Sequence, residues 1–229
     1  MESVVIVHGL WMPGAETLLL RRRLDAAGFA TRVFRYRSVG AGLDANAARL
    51  ADFVTTVPGD TVHFVGHSLG GVLILCMLEQ YAPERVGRVV CLGSPLIGSC
   101  SAGTVRAWPG GRAVLGKCIL DLLERGGCTR WTGRGDLGIV AGGLSIGLGR
   151  VLAWLGPGHL PLPNDGMVTV AETRLPGATD HIVLRVSHTA LLWSPEAAKQ
   201  VIHFLRCGRF QHACRVRIDR QAATGDARQ

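Results

Sequence analysis

At 229 residues and 48% hydrophobic, the chain is long enough to bury one sizeable core, and nothing in its composition demands a second domain. The formal charge of +8 comes from 25 basic against 17 acidic residues, but the basic clusters at Arg21-Arg22-Arg23 and from Arg206 to Arg220 lack the interleaved aromatics of a nucleic-acid site. They read as a solvated helical face and a charged tail, so no nucleic-acid partner is expected. The seven cysteines include no CxxC pair, which argues for free thiols in a reducing compartment. Met1-Glu2 leads directly into an apolar strand-like run rather than a leader, and the uncharged stretch Leu137 to Gly149 falls well short of the roughly 20 residues that span a bilayer. A cytoplasmic location without a transmembrane segment is the expectation.

Short β-branched runs alternate with longer helical patterns, as in an α/β fold whose mainly parallel sheet carries helices on both faces. Ser3 to Val7 reads as a strand and Glu16 to Ala27 as a helix closed by Gly28. Thr31 to Tyr36 is a strand, and Leu43 to Val57 an amphipathic helix ended by Pro58-Gly59. Thr61 to Val65 is a third strand, followed by a helix from Gly70 to Tyr81, a strand from Arg88 to Leu92 and the turn Gly93-Ser94-Pro95. From Gly98 to Pro163 the rhythm loosens, with a helix at Arg112 to Arg125 and a strand at Leu137 to Ala141. A substrate-covering insertion with a small or minimal cap is expected there. Ile182 to Val186 and Pro195 to Leu205 are the last strand and helix. Residues 1–210 thus read as one domain, and 211–229 as a loosely ordered Arg-rich extension.

Gly66-His67-Ser68-Leu69-Gly70 matches G-x-S-x-G with an apolar strand before it and a helix pattern after it. In so Gly-rich a chain the bare pattern arises by chance about 0.16 times, so the strand-turn-helix setting carries the inference. A nucleophile in such a turn has a strained backbone, and Gly66 and Gly70 remove the side chains that would collide there. The plain alternative is a serine in a Gly-rich loop.

A serine hydroxyl needs a base and an orienting acid, in the chain order Ser, acid, His. His188, in the loop VSHTALLW between the last strand and the last helix, has the right position. His203 and His212 fall in a helix and the tail, His181 at the opposite end of the sheet, and His159 before every suitable acid loop. For the acid, Asp165 in Pro163-Asn164-Asp165-Gly166 leads, with Asp180 and Asp136 as rivals and an ordinary turn aspartate as the alternative. The amides of Leu69 and of Leu10, after Val7-His8-Gly9, suit an oxyanion hole, and His8 suits a supporting hydrogen bond to loop backbone. His63 and His67 are four apart, but on a strand and a turn that spacing does not unite two rings, so no metal is expected. Gly147-x-Gly149 continues to Leu152 instead of a third glycine, so no dinucleotide or other cofactor is expected. Leu115, Leu122 and Trp131 either line an acyl pocket or pack a helix onto the sheet, the latter being favoured.

VIVHGLW, GHSLGG, LGSP, NDGMVTV and VSHTALLW resemble the small, lidless bacterial lipases and esterases of the α/β-hydrolase superfamily and, more distantly, GPI inositol-deacylase-like hydrolases. The likeness runs from about Val4 to Phe210. It implies Ser68, Asp165 and His188 as nucleophile, acid and base, with oxyanion amides at Leu10 and Leu69. The residues and the resemblance together predict a hydrolase of carboxylic esters acting on a small molecule, with lipids among the candidates. Thioesterase or acyltransferase chemistry by the same residues, or a silent binding protein on the same fold, are the alternatives.

Overall fold

The computed structural model describes residues 1–146 and 160–212. Six strands, β1 (Glu2–Val7), β2 (Ala30–Phe34), β3 (Thr61–His67), β4 (Val86–Leu92), β5 (Leu137–Gly142) and β6 (Asp180–Leu184), form one sheet in the order β2-β1-β3-β4-β5-β6, every pairing parallel. Parallel neighbours require crossovers, and the long apolar patterns between strands supply them as helices. A one-turn 3-10 helix (Ala15–Thr17) precedes α1 (Leu18–Ala26). Then come α2 (Leu43–Thr55), α3 (Leu69–Tyr81), α4 (Cys100–Arg106), α5 (Gly111–Arg125), α6 (Val170–Thr173), α7 (Ala190–Trp193) and α8 (Pro195–Cys207).

Because strand side chains alternate, the sheet feeds two cores. Val5, Val7, Phe64, Val89, Cys91 and Ile139 meet α2, α3 and α5 on one face. Val4, Ile6, Val65, Val90, Leu92 and Val140 meet α1, α7 and α8 on the other. Helix α3 is the central pillar: every residue from Leu69 to Leu78 is buried, which is why its pattern is apolar all round rather than striped.

Several boundaries differ from the sequence reading. The first helix splits into a 3-10 turn and α1, and β2 stops at Phe34, two residues early. β3 runs on to His67, so Ser68 follows the strand without a spacer. β6 begins at Asp180 rather than Ile182, because its register on β5 pairs Gly138 with Asp180 and Gly142 with Leu184. The helix expected over 112–125 is broken at Gly116 (φ 71°, ψ 173°), where a Cβ would lie 2.5 Å from the Cα of Val39 and where Lys117 N donates to Val39 O at 2.9 Å. Helix α4, within the irregular region, was not foreseen; Ser99 caps it by accepting from Ala102 N. The extension expected from residue 211 begins with two tethered residues. Gln211 exchanges hydrogen bonds with Gln200, and His212 contacts the Asp180 carboxylate. Residues 147–159, which hold the end of the Gly-rich run Gly142 to Gly149 and the later part of the expected insertion, lie outside the described residues, as do 213–229.

The start of α3 packs closely on β1 and on the end of β3. A Cβ on Gly70 would overlap Val7 O, and one on Gly66 would overlap Gly71 N. Gly70→Ala should therefore cost about 1–3 kcal/mol by overpacking, read as a lower urea midpoint at unchanged m-value. An unchanged midpoint would mean that the helix can back away from the sheet.

Candidate active site

Ser68 occupies the single residue between β3 and α3, with φ 53° and ψ −124°, a backbone conformation that non-glycine residues rarely adopt. Its amide donates to Leu92 O at 2.9 Å, and its carbonyl accepts from Gly71 N at 3.1 Å, pinning the turn from both sides. The strain is sustained because Gly66 and Gly70 leave the backbones room to close. The hydroxyl sits at the N-terminal end of a 13-residue helix, where the helix field favours negative charge.

Asp165 lies in the loop before α6. Its Oδ1 accepts from Met167 N at 2.9 Å and Val168 N at 2.8 Å, while Oδ2 lies 2.7 Å from His188 Nδ1. Its carbonyl also accepts from His188 N at 2.9 Å, so backbone and side chain both bind the two loops together. Asn164 holds the turn: its amide donates to Leu160 O and Pro161 O, and its Oδ1 accepts from Gly166 N. The carboxylate is 1% exposed yet fully hydrogen-bonded, as a buried charge must be. Because an ionised carboxylate only accepts, Nδ1 of His188 carries the proton and Nε2 is left free to act as a base.

Ser68 and His188 line the same cavity, of about 490 Å³, together with Gly9, Leu10, Trp11 and Met167. Among the described residues no hydrogen bond joins the Ser68 hydroxyl to His188; such contacts often tighten only when substrate is bound. The β1 loop stands directly beside Ser68, since a Cβ on Gly9 would lie 3.2 Å from Ser68 Cβ. Among the described residues neither the Leu10 nor the Leu69 amide donates to a backbone carbonyl. His8 is buried, with Nδ1 2.9 Å from Gly9 O and its ring stacked on Tyr36 at 4.5 Å. Tyr36 in turn donates its hydroxyl to His8 O at 3.0 Å. Burial holds the His8 pKa below its usual value, so the ring acts as a strut of the loop.

The rivals are elsewhere. Asp136, before β5, pairs with Arg88 at 3.0 Å. Asp180, at the start of β6, accepts from Phe210 N at 2.8 Å and contacts His212. His181 lies 2.9 Å from Thr173 Oγ1, and His203 contacts Gln211; His159 lies outside the described residues. His63 and His67 share one face of β3 but are separated by about 13 Å of strand. Of the suggested acyl-pocket residues Leu115 lines the cavity, whereas Leu122 and Trp131 pack with the core on the α3 side.

Three contributors escaped the sequence reading. Gly93 (φ 56°) passes under Asp165 and His188: a Cβ there would come within 3.0 Å of Asp165 Oδ2 and 3.2 Å of His188 Nδ1. Gly142 makes room for Asp165, whose Cβ would be 2.6 Å away. His67, the residue before Ser68, places Nε2 3.0 Å from His188 O. The signal for the glycines was their position at the carboxyl ends of β4 and β5; for His67 no spacing rule points to a partner 121 residues away.

His67 is fully buried, and burial, reinforced by its neighbour His188, lowers its pKa to about 3. An unfolded histidine titrates near 6.5, so between those values the unfolded chain binds the extra proton. The contribution is complete above about pH 6.5 and is lost as pH falls toward 3, by at most about 1.4 kcal/mol per pH unit. His67→Gln should therefore lose less stability than the wild type between pH 6.5 and 4 in urea titrations; parallel losses would contradict a histidine held neutral by burial.

Residues 36–109 match the family model described as the alpha/beta hydrolase fold. No curated protein sequence matches the chain. Among solved structures, the mature lipase BlEst2 of Bacillus licheniformis is similar at TM-score 0.70 and 20% identity, over 89% of this chain and 90% of that one. The metagenomic carboxyl esterase MGS0156 is similar at TM-score 0.62 and 25% identity, over 83% and 65%. RedJ, a thioesterase of the prodiginine pathway in Streptomyces coelicolor, is similar at TM-score 0.55 and 15% identity, over 90% and 85%. With its parallel sheet, its strand-to-helix turn at Ser68 and these likenesses, the chain has the α/β-hydrolase fold.

Proposed function

We propose that the chain is a serine hydrolase cleaving carboxylic esters through an acyl-enzyme on Ser68. The observation that carries this reading is the 2.7 Å contact of Asp165 with His188, facing the cavity that also holds the strained Ser68. His188 Nε2 takes the hydroxyl proton as Ser68 Oγ attacks the ester carbonyl, and Asp165, remaining ionised, stabilises the imidazolium. The amides of Leu10 and Leu69 hold the oxyanion. The tetrahedral intermediate expels the alcohol, which receives the proton from His188, and leaves an acyl group on Ser68. His188 then deprotonates a water, which attacks the acyl-enzyme and releases the acid and the free serine.

The walls favour an apolar, uncharged acyl group. Leu10, Trp11, Val105, Leu115, Ile119 and Met167 line the cavity, and among its described lining residues there is no Asp, Glu, Lys or Arg. Burying a charged substrate there without a counter-charge would be costly. In this reading residues 1–210 act as one hydrolase domain. Ser99, Ala102, Val105, Leu115 and Ile119 bring α4 and α5 over the cavity, which supports a covering role for 98–163. The lipase and carboxyl esterase among the neighbours favour oxygen esters, while the thioesterase RedJ keeps thioesters as the second reading, with the same residues in the same roles.

A fluorophosphonate probe is expected to label Ser68, and Ser68→Ala to abolish labelling; a folded chain that stays unlabelled points to a binding protein. His188→Ala should lower p-nitrophenyl butyrate turnover by at least about 10³-fold, with His181→Ala within a few-fold of wild type. The reverse order would reassign the base. p-Nitrophenyl butyrate should also be cleaved with at least tenfold higher kcat/KM than the anionic p-nitrophenyl hemisuccinate; equal values would contradict the apolar pocket.

A further inference from the structure

His67 is placed between the two halves of the site. Its carbonyl-facing nitrogen, Nε2, lies 3.0 Å from His188 O, and its ring lies against the His188 ring with centroids 4.8 Å apart at 49°. Since a carbonyl can only accept, Nε2 carries the proton, and Nδ1 is the bare nitrogen. Nδ1 is buried and has no hydrogen-bond partner among the described residues; a Cβ on Gly9 would lie 3.2 Å from it. The ring thus fills the gap between the β1 loop that carries the Leu10 amide and the loop that carries His188. A buried polar atom left unpaired is costly, which marks the position as one that a fully apolar ring would fill at lower cost if packing were its only task.

The groups facing this ring are few. His188 and Asp165 lie on the side of the acid and base loops and His8 on the side of the β1 loop, each close enough to influence its charge. Protonating Nδ1 would place a hydrogen where the described structure offers no acceptor, and would set a second positive charge beside an imidazolium. The ring is therefore built to stay neutral while His188 cycles between charge states.

We propose that His67 is a positioning residue for the base: its Nε2–H holds the His188 backbone carbonyl while its ring buttresses the imidazole, fixing the side chain in line with Asp165 and Ser68. The role rests on His188 being the base. It differs from the roles of the residue's neighbours, since Ser68 reacts and Leu69 donates to the oxyanion, whereas His67, which borders the cavity, acts through His188. Losing the bond leaves His188 held by its two ties to Asp165, and small misplacements of a base cost rate rather than affinity.

Two variants separate this from plain packing. His67→Phe keeps a ring but has no donor, and His67→Gln has an amide N–H able to reach the same carbonyl. On p-nitrophenyl butyrate, His67→Phe should lower kcat at least tenfold with KM within twofold, and His67→Gln should recover most of the loss. In proton NMR of the wild type and His67→Gln, the His188 Nδ1–H bonded to Asp165 should give a resolved low-field resonance, identified by its absence in His188→Ala. In His67→Phe it should broaden or vanish while the thermal midpoint stays near wild type. Wild-type kcat in His67→Phe, or equal losses in both variants tracking their stability, would overturn the proposal. If the wild type itself lacks Ser68-dependent turnover, the hydrolase reading fails. The resonance alone then decides the positioning role: persistence in His67→Phe refutes it, and loss there with retention in His67→Gln upholds it.

Discussion

Strand β3 must become helix α3 within one residue, with β1 pressed against the junction. That constraint explains why Gly66 and Gly70 flank Ser68, why Ser68 has positive φ, and why ten consecutive residues of α3 are buried. The chain stores strain at the turn and offsets it by burying a helix that is apolar on every side, a pillar that a more polar sequence could not provide. One outcome is that the serine stands at the carboxyl edge of the sheet, where ligands bind in open α/β folds. The same edge carries the loops after β1, β4, β5 and β6, so Leu10, Gly93, Asp165 and His188 all approach the serine from one end of the sheet.

Around that turn, Asp165 and His188 are held by backbone as much as by side chain. Asp165 accepts three N–H groups through its carboxylate and a fourth through its carbonyl. Its loop is itself braced by Asn164, and by the capping box of α6, in which Thr169 and Glu172 each accept the other's amide. Gly93 and Gly142 let β4 and β5 pass beneath the pair at distances no side chain would permit. In the proposed mechanism this matters because an ionised, fully hydrogen-bonded carboxylate can stabilise an imidazolium without itself moving, and preorganised dipoles cost no rearrangement during the reaction. The cavity wall draws on α4 and α5 as well as on Leu10, Trp11 and Met167, which lie on the loops around Ser68 and Asp165.

The parallel sheet was legible because its strands are β-branched runs separated by helix-length intervals, and all six appear in the structure. Edges were less so: β6 starts two residues early because inter-strand register, rather than local propensity, decides where an edge strand begins. Helix α4 was missed since CSAGTVR is short and weakly patterned, and is held by a serine cap and tertiary contacts. The break in α5 was invisible because Gly116 reads as a tolerable glycine until Val39 packs on it. Of the site, Ser68, Asp165 and His188 stood out through motif and chain order, and the structure brings Asp165 and His188 into contact. Gly93, Gly142 and His67 did not stand out, because their parts are defined by distances across the fold. Local pattern encodes elements and chemical groups; it does not encode which groups meet.

The central claim is that Ser68 becomes covalently acylated with His188 and Asp165 behind it. The most direct measurement is intact-protein mass spectrometry after rapid acid quench of a reaction with an activated butyrate ester, with peptide mapping of the product. The account predicts a transient species heavier by one butyryl group, mapped to Ser68, that decays as free acid accumulates. Turnover that proceeds in Ser68→Ala, or acylation found at another residue, would contradict it.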